Sequence, residues 1–223
     1  MKSSHIINIG YPKCGTTWVW KVLTQQEWFS HPREKENADL TNGISTVDQY
    51  SKDYVNYPIT ANFDPSLLGI DRYMIHLLSE IDTVNVSIIL RNPFDLYWSL
   101  YNFLIRRHRN SYTFSESIVD LHGDGWFNQT NLILSRWMEF FPPNRFKIFF
   151  YEDLKSNPEI FFLNYCSQMN LPVPAILDLQ KINVTAYQYS NNLISNDLVA
   201  LINYDIDQLQ SVIDRDISHW KRL

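Results

Sequence analysis

His5-Ile-Ile-Asn-Ile-Gly-Tyr-Pro-Lys-Cys-Gly-Thr-Thr-Trp18 is the most informative run in the chain. Its apolar part, Ile6–Ile9, predicts a buried strand, because short apolar runs bounded by turn residues are typical of one. Gly10 and Pro12 end the strand, and Gly15 precedes the start of a helix. In such a unit, backbone N–H groups and the positive end of the helix dipole face one point. The run therefore predicts a phosphate-binding loop.

The spacing within this loop separates it from the loop of nucleoside-triphosphatases. Those loops place a lysine directly after the second glycine, followed by serine or threonine. Here Gly10 and Gly15 keep the glycine spacing, and Thr17 supplies the hydroxyl. Thr16, however, occupies the lysine position, and the lysine of the loop is Lys13. The cation is thus expected to approach a bound anion from a different side; a loop lysine beside an ordinary helix start is the alternative interpretation.

Composition indicates one globular domain covering residues 1–223. The chain has 223 residues, of which 45% are hydrophobic, enough for one sizeable core. Its net charge of −5 argues against a general nucleic-acid-binding protein, so an anion site must be built locally. Two cysteines, Cys14 and Cys166, are too few for a disulfide framework. Because no signal-peptide pattern or long apolar run is present, we expect a cytoplasmic protein without a membrane span, and its oligomeric state stays open.

Strand patterns alternate with helix patterns along the chain. Strands are predicted at residues 6–9, 59–62, 84–90 and 146–151. Helices are predicted at residues 16–28, 45–54, 73–81, 93–109, 128–141, 158–169 and 196–223. The alternation predicts an α/β fold with a central, mainly parallel sheet flanked by helices.

Arg91 and Ser99 form a second polar constellation. Arg91 follows the predicted strand at residues 84–90, and open parallel sheets bind ligands at the carboxyl ends of their strands. Asn92 and Pro93 suit the first positions of a helix, and Ser99 lies about two turns along it. A guanidinium and a hydroxyl suit a terminal phosphate, whereas a triphosphatase more often has an aspartate here to hold magnesium. A helix start with a solvated arginine is the alternative.

Two motifs resemble the sulfotransferases that use 3′-phosphoadenosine 5′-phosphosulfate (PAPS). Tyr11–Trp18 is similar to their 5′-phosphosulfate loop, and Ile88–Asp95 with Ser99 is similar to their 3′-phosphate motif. Residues 135–142 and 149–154 resemble the family more loosely. The resemblance spans most of the chain and implies the P-loop-like sulfotransferase fold. Within the family, the chain resembles the bacterial and glycan branch more than the cytosolic small-molecule branch.

The resemblance implies a role for the residues of both motifs. Lys13 would contact the bridging oxygen and the transferring sulfuryl group, and Trp18 would either pack on the adenine or belong to the core. Arg91 and Ser99 would hold the 3′-phosphate. The implied cofactor-binding residues are Pro12, Lys13, Cys14, Gly15, Thr16, Thr17, Trp18, Arg91 and Ser99. The implied reaction is in-line sulfuryl transfer from PAPS to a small-molecule, glycan or lipid acceptor, with no metal.

A general base must take the proton of the acceptor, and two candidates remain open. Glu36 lies in the polar run 33–37, which resembles the Lys-Glu stretch that carries the base in the glycan branch. His76 lies between the two phosphate motifs, where the small-molecule branch has a histidine. The helical apolar pattern around His76 is more typical of a structural histidine, so we favour Glu36. For Glu36, the alternative is one charge in a solvated run.

The chain departs from the small-molecule branch near its C-terminus. Residues 183–193, where that branch has a basic nucleotide clamp, contain no lysine or arginine. Late positive charge is found at residues 219–222. The clamp is either absent or supplied by Arg106, Arg107 or Arg109, and a solvated helix end is the favoured alternative for these arginines. This departure affects the expected cofactor affinity more than the reaction type.

Two other functions fit part of the pattern. A small P-loop kinase would share the glycine loop, but Thr16 and Arg91 count against it. A catalytically silent nucleotide-binding protein of the same fold is the third hypothesis. Binding of 3′-phosphoadenosine 5′-phosphate (PAP), compared with ATP and magnesium, separates the kinase from the sulfotransferase.

Overall fold

The structure is a computed structural model that describes residues 4–43, 45–108, 114, 116, 119–120, 128–175 and 194–222. Within these ranges, the side chains of residues 55 and 104–108 are not described. The described residues fall into two compact units. One unit is drawn from Met1–Leu90 and Arg136–Val184, and the other from Arg91–Ser135 and Thr185–Leu223. The expectation of a single domain over residues 1–223 stays a prediction.

The described residues of the first unit contain a four-stranded parallel sheet. Its strands are β1 (Ser4–Asn8), β2 (Ile59–Asn62), β3 (Val84–Leu90) and β4 (Phe146–Phe150), in the order β2-β1-β3-β4. β1 pairs with both β2 and β3, and β3 also pairs with β4. Most residues of β1, β2 and β3, polar ones included, are buried, because both faces of a parallel sheet are covered. The predicted α/β class is therefore confirmed.

Helices follow the strands in chain order. They are α1 (Thr16–Leu23), α2 (Val47–Val55), α3 (Arg72–Ser79), α4 (Pro93–His108), α5 (Thr130–Phe140), α6 (Tyr151–Ser156), α7 (Pro158–Gln168) and α8 (Asn196–Gln210), with 3₁₀ helices at Pro65–Gly69 and Ser218–Trp220. The side chains of Thr46, Asp71 and Asn157 accept hydrogen bonds from backbone N–H groups at the starts of α2, α3 and α7. These caps fix the residues at which the three helices begin.

The first helix is shorter than its pattern predicts. The predicted helix 16–28 ends at Leu23 in the structure. Gln26 Nε2 donates to the Val22 carbonyl (3.0 Å), the group that the Gln26 backbone N–H would bind if the helix continued. Gln26 Oε1 accepts from the backbone N–H of Ala175 (3.0 Å). The glutamine side chain thus replaces a helical bond and ties the helix end to a distant segment.

The C-terminal helix is also shorter than predicted. The pattern over residues 196–223 predicts one helix, but α8 ends at Gln210. The Gln210 amide nitrogen donates to the Arg215 carbonyl (3.0 Å), and its oxygen accepts from the Ile217 N–H (2.7 Å). The chain therefore turns after α8 and leads into the short 3₁₀ helix.

The second unit packs the end of the chain against the start of α4. Asn203 exchanges two hydrogen bonds with the backbone of Arg222 (2.6 and 3.0 Å). The Arg222 guanidinium carbon lies 4.3 Å from the centre of the Phe94 ring. Asn92 Oδ1 accepts from the Phe94 N–H (3.0 Å), which confirms Asn92 as the residue that starts α4.

Candidate functional site

A buried polar chain supports the loop that follows β1. Asn8 Nδ2 donates to Ser87 Oγ (2.9 Å), and Asn8 Oδ1 accepts from the Gly10 N–H (3.0 Å). Ser87 Oγ in turn lies 3.1 Å from the Tyr165 hydroxyl. A Cβ atom on Gly10 would lie 2.9 Å from Asn8 Oδ1 and 3.1 Å from the Ile89 nitrogen, so a larger residue does not fit. These contacts fix the position of the backbone at Gly10, where the loop after β1 begins.

Two residues of the loop have left-handed backbone conformations. Lys13 has φ 69° and Gly15 has φ 84°. Gly15 adopts this conformation freely, and a Cβ there would also clash with the Leu154 side chain and lie 3.3 Å from Tyr151 of α6. Lys13 carries a Cβ, so its conformation costs about 1–2 kcal/mol. Strain of this kind is typical of positions where a side chain is held for a function.

The N-terminus of α1 has the features expected of an anion site. Gly15 supplies no side-chain cap, and the first turn contains no acidic residue. The N–H groups of Trp18 and Val19 both bond to the Gly15 carbonyl (2.9 and 3.2 Å). The amides of Thr16 and Thr17 come before these bonds, so they point out of the helix start. Thr17 is partly exposed and adds a hydroxyl to this group of donors.

Pro12, Cys14 and Trp18 are the other loop residues that the sequence assigns to the nucleotide site, and they differ in burial. Cys14 is buried, and Pro12 is partly exposed. Trp18 is buried, and its ring makes edge-on contacts with Phe162 (5.9 Å between ring centres) and Phe161 (6.5 Å) of α7. This packing favours the core interpretation of Trp18 over adenine stacking. The assignment of these three loop residues to a nucleotide site stays a prediction.

Glu36 lies at the carboxyl end of β2, the strand next to the one that carries the loop. The Phe63 N–H, directly after β2, donates to the Lys35 carbonyl (2.8 Å). Because β1 and β2 are parallel neighbours, residues 35–37 and the loop lie at the same end of the sheet. The Glu36 side chain is 56% exposed, and Lys35 Nζ donates to its Oε1 at 2.5 Å. The structure therefore places this carboxylate at the end of the sheet that carries Lys13.

His76 lies in the last turn of α3, near the amino end of the sheet. Arg145, directly before β4, donates to the carbonyls of Ser79, Ile81 and Val84 (2.8, 2.8 and 3.0 Å). These bonds hold the end of α3 beside the starts of β3 and β4. The His76 side chain is 50% exposed, and its Nδ1 lies 3.8 Å from Glu80 Oε1. Of the two candidate bases, only Glu36 lies at the same end of the sheet as the loop.

Two buried titratable groups of the first unit are uncharged near neutral pH. Burial lowers the pKa of His5 to about 3, and its ring nitrogens are hydrogen-bonded to Thr60 Oγ1 (2.8 Å) and the Tyr50 hydroxyl (3.0 Å). Burial raises the pKa of the Cys166 thiol to about 12. A neutral histidine with both nitrogens bonded is structural, and a protonated thiol is unreactive.

Arg91 and Ser99 belong to the second unit. Arg91 is the first residue after β3 and is partly buried. Ser99 lies in the second turn of α4 and is partly exposed. Their expected role at a 3′-phosphate stays a prediction. The region 183–193 and the clamp candidate Arg109 lie outside the described residues, as do the side chains of the candidates Arg106 and Arg107.

The described ranges also bear on membrane spans and metal sites. Within them, no helix has both the length and the hydrophobicity needed to cross a membrane. No group of three His, Cys, Asp or Glu side chains in the same ranges is arranged as metal ligands would be.

The sulfotransferase domain family matches residues 3–192 of the chain. The matched region includes the loop after β1, the segment around Glu36 and the Arg91 motif. The protein is a member of the sulfotransferase family. A comparison with curated protein sequences gives no match.

Solved sulfotransferase structures share the fold. A crystal structure of a sulfotransferase from Alicyclobacillus acidocaldarius matches with a TM-score of 0.73 at 18% identity, covering 100% of both chains. Mouse sulfotransferase SULT7A1 complexed with PAP matches with a TM-score of 0.52 at 14% identity, over 78% of this chain and 61% of that one. The sulfotransferase domain from the curacin biosynthetic pathway has a TM-score of 0.50 at 11% identity, over 77% and 75%. At these identities the structures establish the sulfotransferase fold alone.

No motif in the sequence singles out the residues that hold Glu36 in place. Asn37 and Asn62 link residues 35–37 to the end of β2 through side-chain hydrogen bonds. Asparagine is depleted in strands, so Asn62 at the end of the apolar run 59–62 is the signal that points to this link.

Proposed function

We propose that this sulfotransferase moves the sulfuryl group of PAPS to a hydroxyl or amine of a small-molecule, glycan or lipid acceptor. The observation that carries the proposal is Lys13, held at φ 69° in a loop whose two glycines have no room for a Cβ. Membership of the sulfotransferase family supports the reaction class. A triphosphatase would have its lysine at position 16, which is a threonine here.

Lys13 supplies positive charge to the bond that breaks. In PAPS, a bridging oxygen joins the sulfur to the 5′-phosphate, and this oxygen gains negative charge as the S–O bond lengthens. An ammonium directed at that oxygen stabilises the transition state more than the bound ground state. The Thr16 and Thr17 amides, at the positive end of α1, bind the non-bridging oxygens of the 5′-phosphate.

Glu36 accepts the proton that the acceptor loses. The acceptor oxygen or nitrogen forms a bond to sulfur, the bond between sulfur and the bridging oxygen breaks, and PAP leaves with the bonding electron pair. The proton of the acceptor passes to the Glu36 carboxylate and then to solvent. The position of Glu36 at the carboxyl end of β2 and its exposed carboxylate support this role. His76 is the weaker candidate because it lies near the amino end of the sheet.

Arg91 and Ser99 bind the 3′-phosphate, the group that distinguishes PAPS from ATP. This part of the proposal is supported by the sequence motif. A guanidinium binds phosphate through two parallel N–H bonds, so arginine gives both affinity and orientation.

Release of PAP from PAPS by the purified protein tests the proposal. The acceptor panel contains 4-nitrophenol, glucosamine and a primary fatty alcohol. We expect sulfated product and PAP in equal amounts, and loss of both in Lys13→Ala. Lys52→Ala is the matched control, because Lys52 is exposed on α2 and should not affect turnover.

Two outcomes would favour the other hypotheses. A phosphorylated product formed from ATP and magnesium, without any turnover of PAPS, would indicate a kinase. A protein that binds PAP, but neither transfers the sulfuryl group of PAPS to an acceptor nor hydrolyses PAPS, would be a catalytically silent nucleotide-binding protein.

A further inference from the structure

We propose that Asn62 is a positioning residue that fixes Glu36, an inference that rests on the proposed role of Glu36 as the base. Asn62 Oδ1 accepts from the Asn37 N–H (3.0 Å), and Asn62 Nδ2 donates to the Asn37 carbonyl (2.9 Å). The next residue, Phe63, donates its N–H to the Lys35 carbonyl (2.8 Å). The backbone is therefore held on both sides of Glu36.

These three bonds hold residues 35–37 beside the carboxyl end of β2. The backbone of residues 35 and 37 is bound as it would be by a neighbouring strand, with the Asn62 carboxamide in place of a peptide group. Exposure alternates along the segment as in a strand. The Lys35 side chain is 18% exposed, the Glu36 side chain is 56% exposed, and Asn37 is buried. The segment therefore directs the Glu36 carboxylate outward while its neighbours face the protein.

Asn62 is itself held by a buried polar network. Its Nδ2 also donates to the Tyr50 hydroxyl (3.0 Å), which is 3.0 Å from His5 Nε2. Asn37 Nδ2 donates to the Tyr54 hydroxyl (3.0 Å), and Asn37 Oδ1 accepts from the backbone N–H two residues later (3.0 Å). Every side-chain nitrogen and oxygen of the two asparagines is thus hydrogen-bonded. A buried network that is fully bonded is rigid and admits one arrangement.

The bonds from Asn62 to the Asn37 backbone also stabilise the fold, because a buried N–H or C=O group that loses its partner costs about 1–3 kcal/mol. An apolar side chain at position 62 would fill the space but would not bind the backbone of Asn37. A shift of about 1 Å in a catalytic group costs about 10²-fold in rate, so a base needs such support.

Two variants separate positioning from general packing. Asn62→Leu removes both bonds to Asn37 at similar volume, whereas Tyr50→Phe removes a hydroxyl of the same network and keeps those bonds. With PAPS as substrate and PAP release as readout, Asn62→Leu should lower kcat by about 10–100-fold and leave the affinity for PAP unchanged. Tyr50→Phe should lower kcat by much less than Asn62→Leu, because it keeps both bonds to Asn37. Hydrogen exchange of the Asn37 amide should be faster in Asn62→Leu than in Tyr50→Phe.

A double variant links the effect to the base. If Asn62 acts through Glu36, Asn62→Leu combined with Glu36→Gln should be little slower than Glu36→Gln alone. Additive losses would overturn the inference, as would an unchanged kcat in Asn62→Leu when Glu36→Gln is slow. An unchanged kcat in Glu36→Gln would instead remove the base from the proposed function. If the wild-type protein releases no PAP, the proposed function fails, and the exchange rate of the Asn37 amide still decides whether Asn62 fixes residues 35–37.

Discussion

The polar groups at the two ends of the parallel sheet differ in their hydrogen bonding. At the amino end, Arg145 donates to three backbone carbonyls, and both ring nitrogens of His5 are hydrogen-bonded. At the carboxyl end, α1 begins without a side-chain cap, and Lys13 has a strained backbone. The hydrogen bonds at the amino end stabilise the fold, whereas the carboxyl end also carries the charge of Lys13 and the backbone amides of α1, which we propose bind a ligand. Changes at the first end should therefore lower stability, and changes at the second should lower activity.

Lys13 should give the largest effect. Lys13→Ala should lower the rate of PAP release by about 10²–10³-fold, because the leaving oxygen loses the cation that stabilises its charge. Lys13→Gly should lose as much activity yet raise the free energy of unfolding by about 1 kcal/mol, because glycine adopts φ 69° without strain. Turnover and urea unfolding of both variants measure this separation. A loss of stability that parallels the loss of activity would remove the distinction between the two ends.

The two candidate bases, Glu36 and His76, test the same comparison by their effects on turnover, because they lie at opposite ends of the sheet. Glu36→Gln, at the carboxyl end, should lower kcat by about 10²-fold because it keeps the shape but accepts no proton. His76→Asn, near the amino end, should change kcat by less than about twofold. Both are measured by PAP release at saturating PAPS. The reverse order of effects would show that the base does not lie at the end that carries Lys13.

Arg145 tests whether the polar contacts at the amino end of the sheet stabilise the fold. Arg145→Met should lower the free energy of unfolding by about 1–3 kcal/mol, because the three carbonyls lose their charged donor. Urea unfolding measures this loss, and kcat per folded molecule should stay unchanged. Arg72→Met is the control, since Arg72 forms an exposed ion pair with Glu139 and lies over the Phe140 ring at 5.6 Å, and its loss should cost less than about 1 kcal/mol. Equal losses in both variants would contradict a special role for the amino end.

The pH dependence of stability tests the same end of the sheet through His5. The pKa of His5 is about 3 in the folded protein and 6.5 in the unfolded chain, so the unfolded state binds the proton first as pH falls. The contribution of a neutral His5 is complete above about pH 6.5 and is lost toward pH 3, at up to about 1.4 kcal/mol per pH unit. Urea unfolding of wild type and His5→Gln between pH 7 and pH 4.5 measures it. The free energy of unfolding should fall more steeply in the wild type, and parallel curves would show that His5 is not held neutral.

The fold could be predicted where the signal is local. The predicted strands at residues 59–62 and 84–90 coincide with β2 and β3, because short apolar runs between turn residues mark buried strands. The predicted helix ends at residues 28 and 223 are wrong. Gln26 and Gln210 take over backbone bonding there through contacts that exist only in the folded chain, and helical periodicity does not report them.

The candidate site, too, could be predicted only where its residues are close together in the sequence. The loop around Lys13 was predictable because the glycine spacing, the lysine and the helix start are adjacent in sequence. The support of Glu36 was not, because Asn37 and Asn62 are 25 residues apart, and His5 and Tyr50 are 45 apart. Contacts of this range depend on the pairing of β1 with β2, which strand patterns alone do not specify.

Titration calorimetry with PAP tests most directly the central claim, that this sulfotransferase binds the nucleotide of PAPS. The account predicts that PAP binds to the wild-type protein and that Arg91→Ala weakens its affinity by about 10–100-fold, since a charged hydrogen bond to phosphate is lost. Arg72→Ala should leave the affinity unchanged, and ATP with magnesium should bind more weakly than PAP. Binding of ATP with magnesium, together with no binding of PAP, would contradict the account.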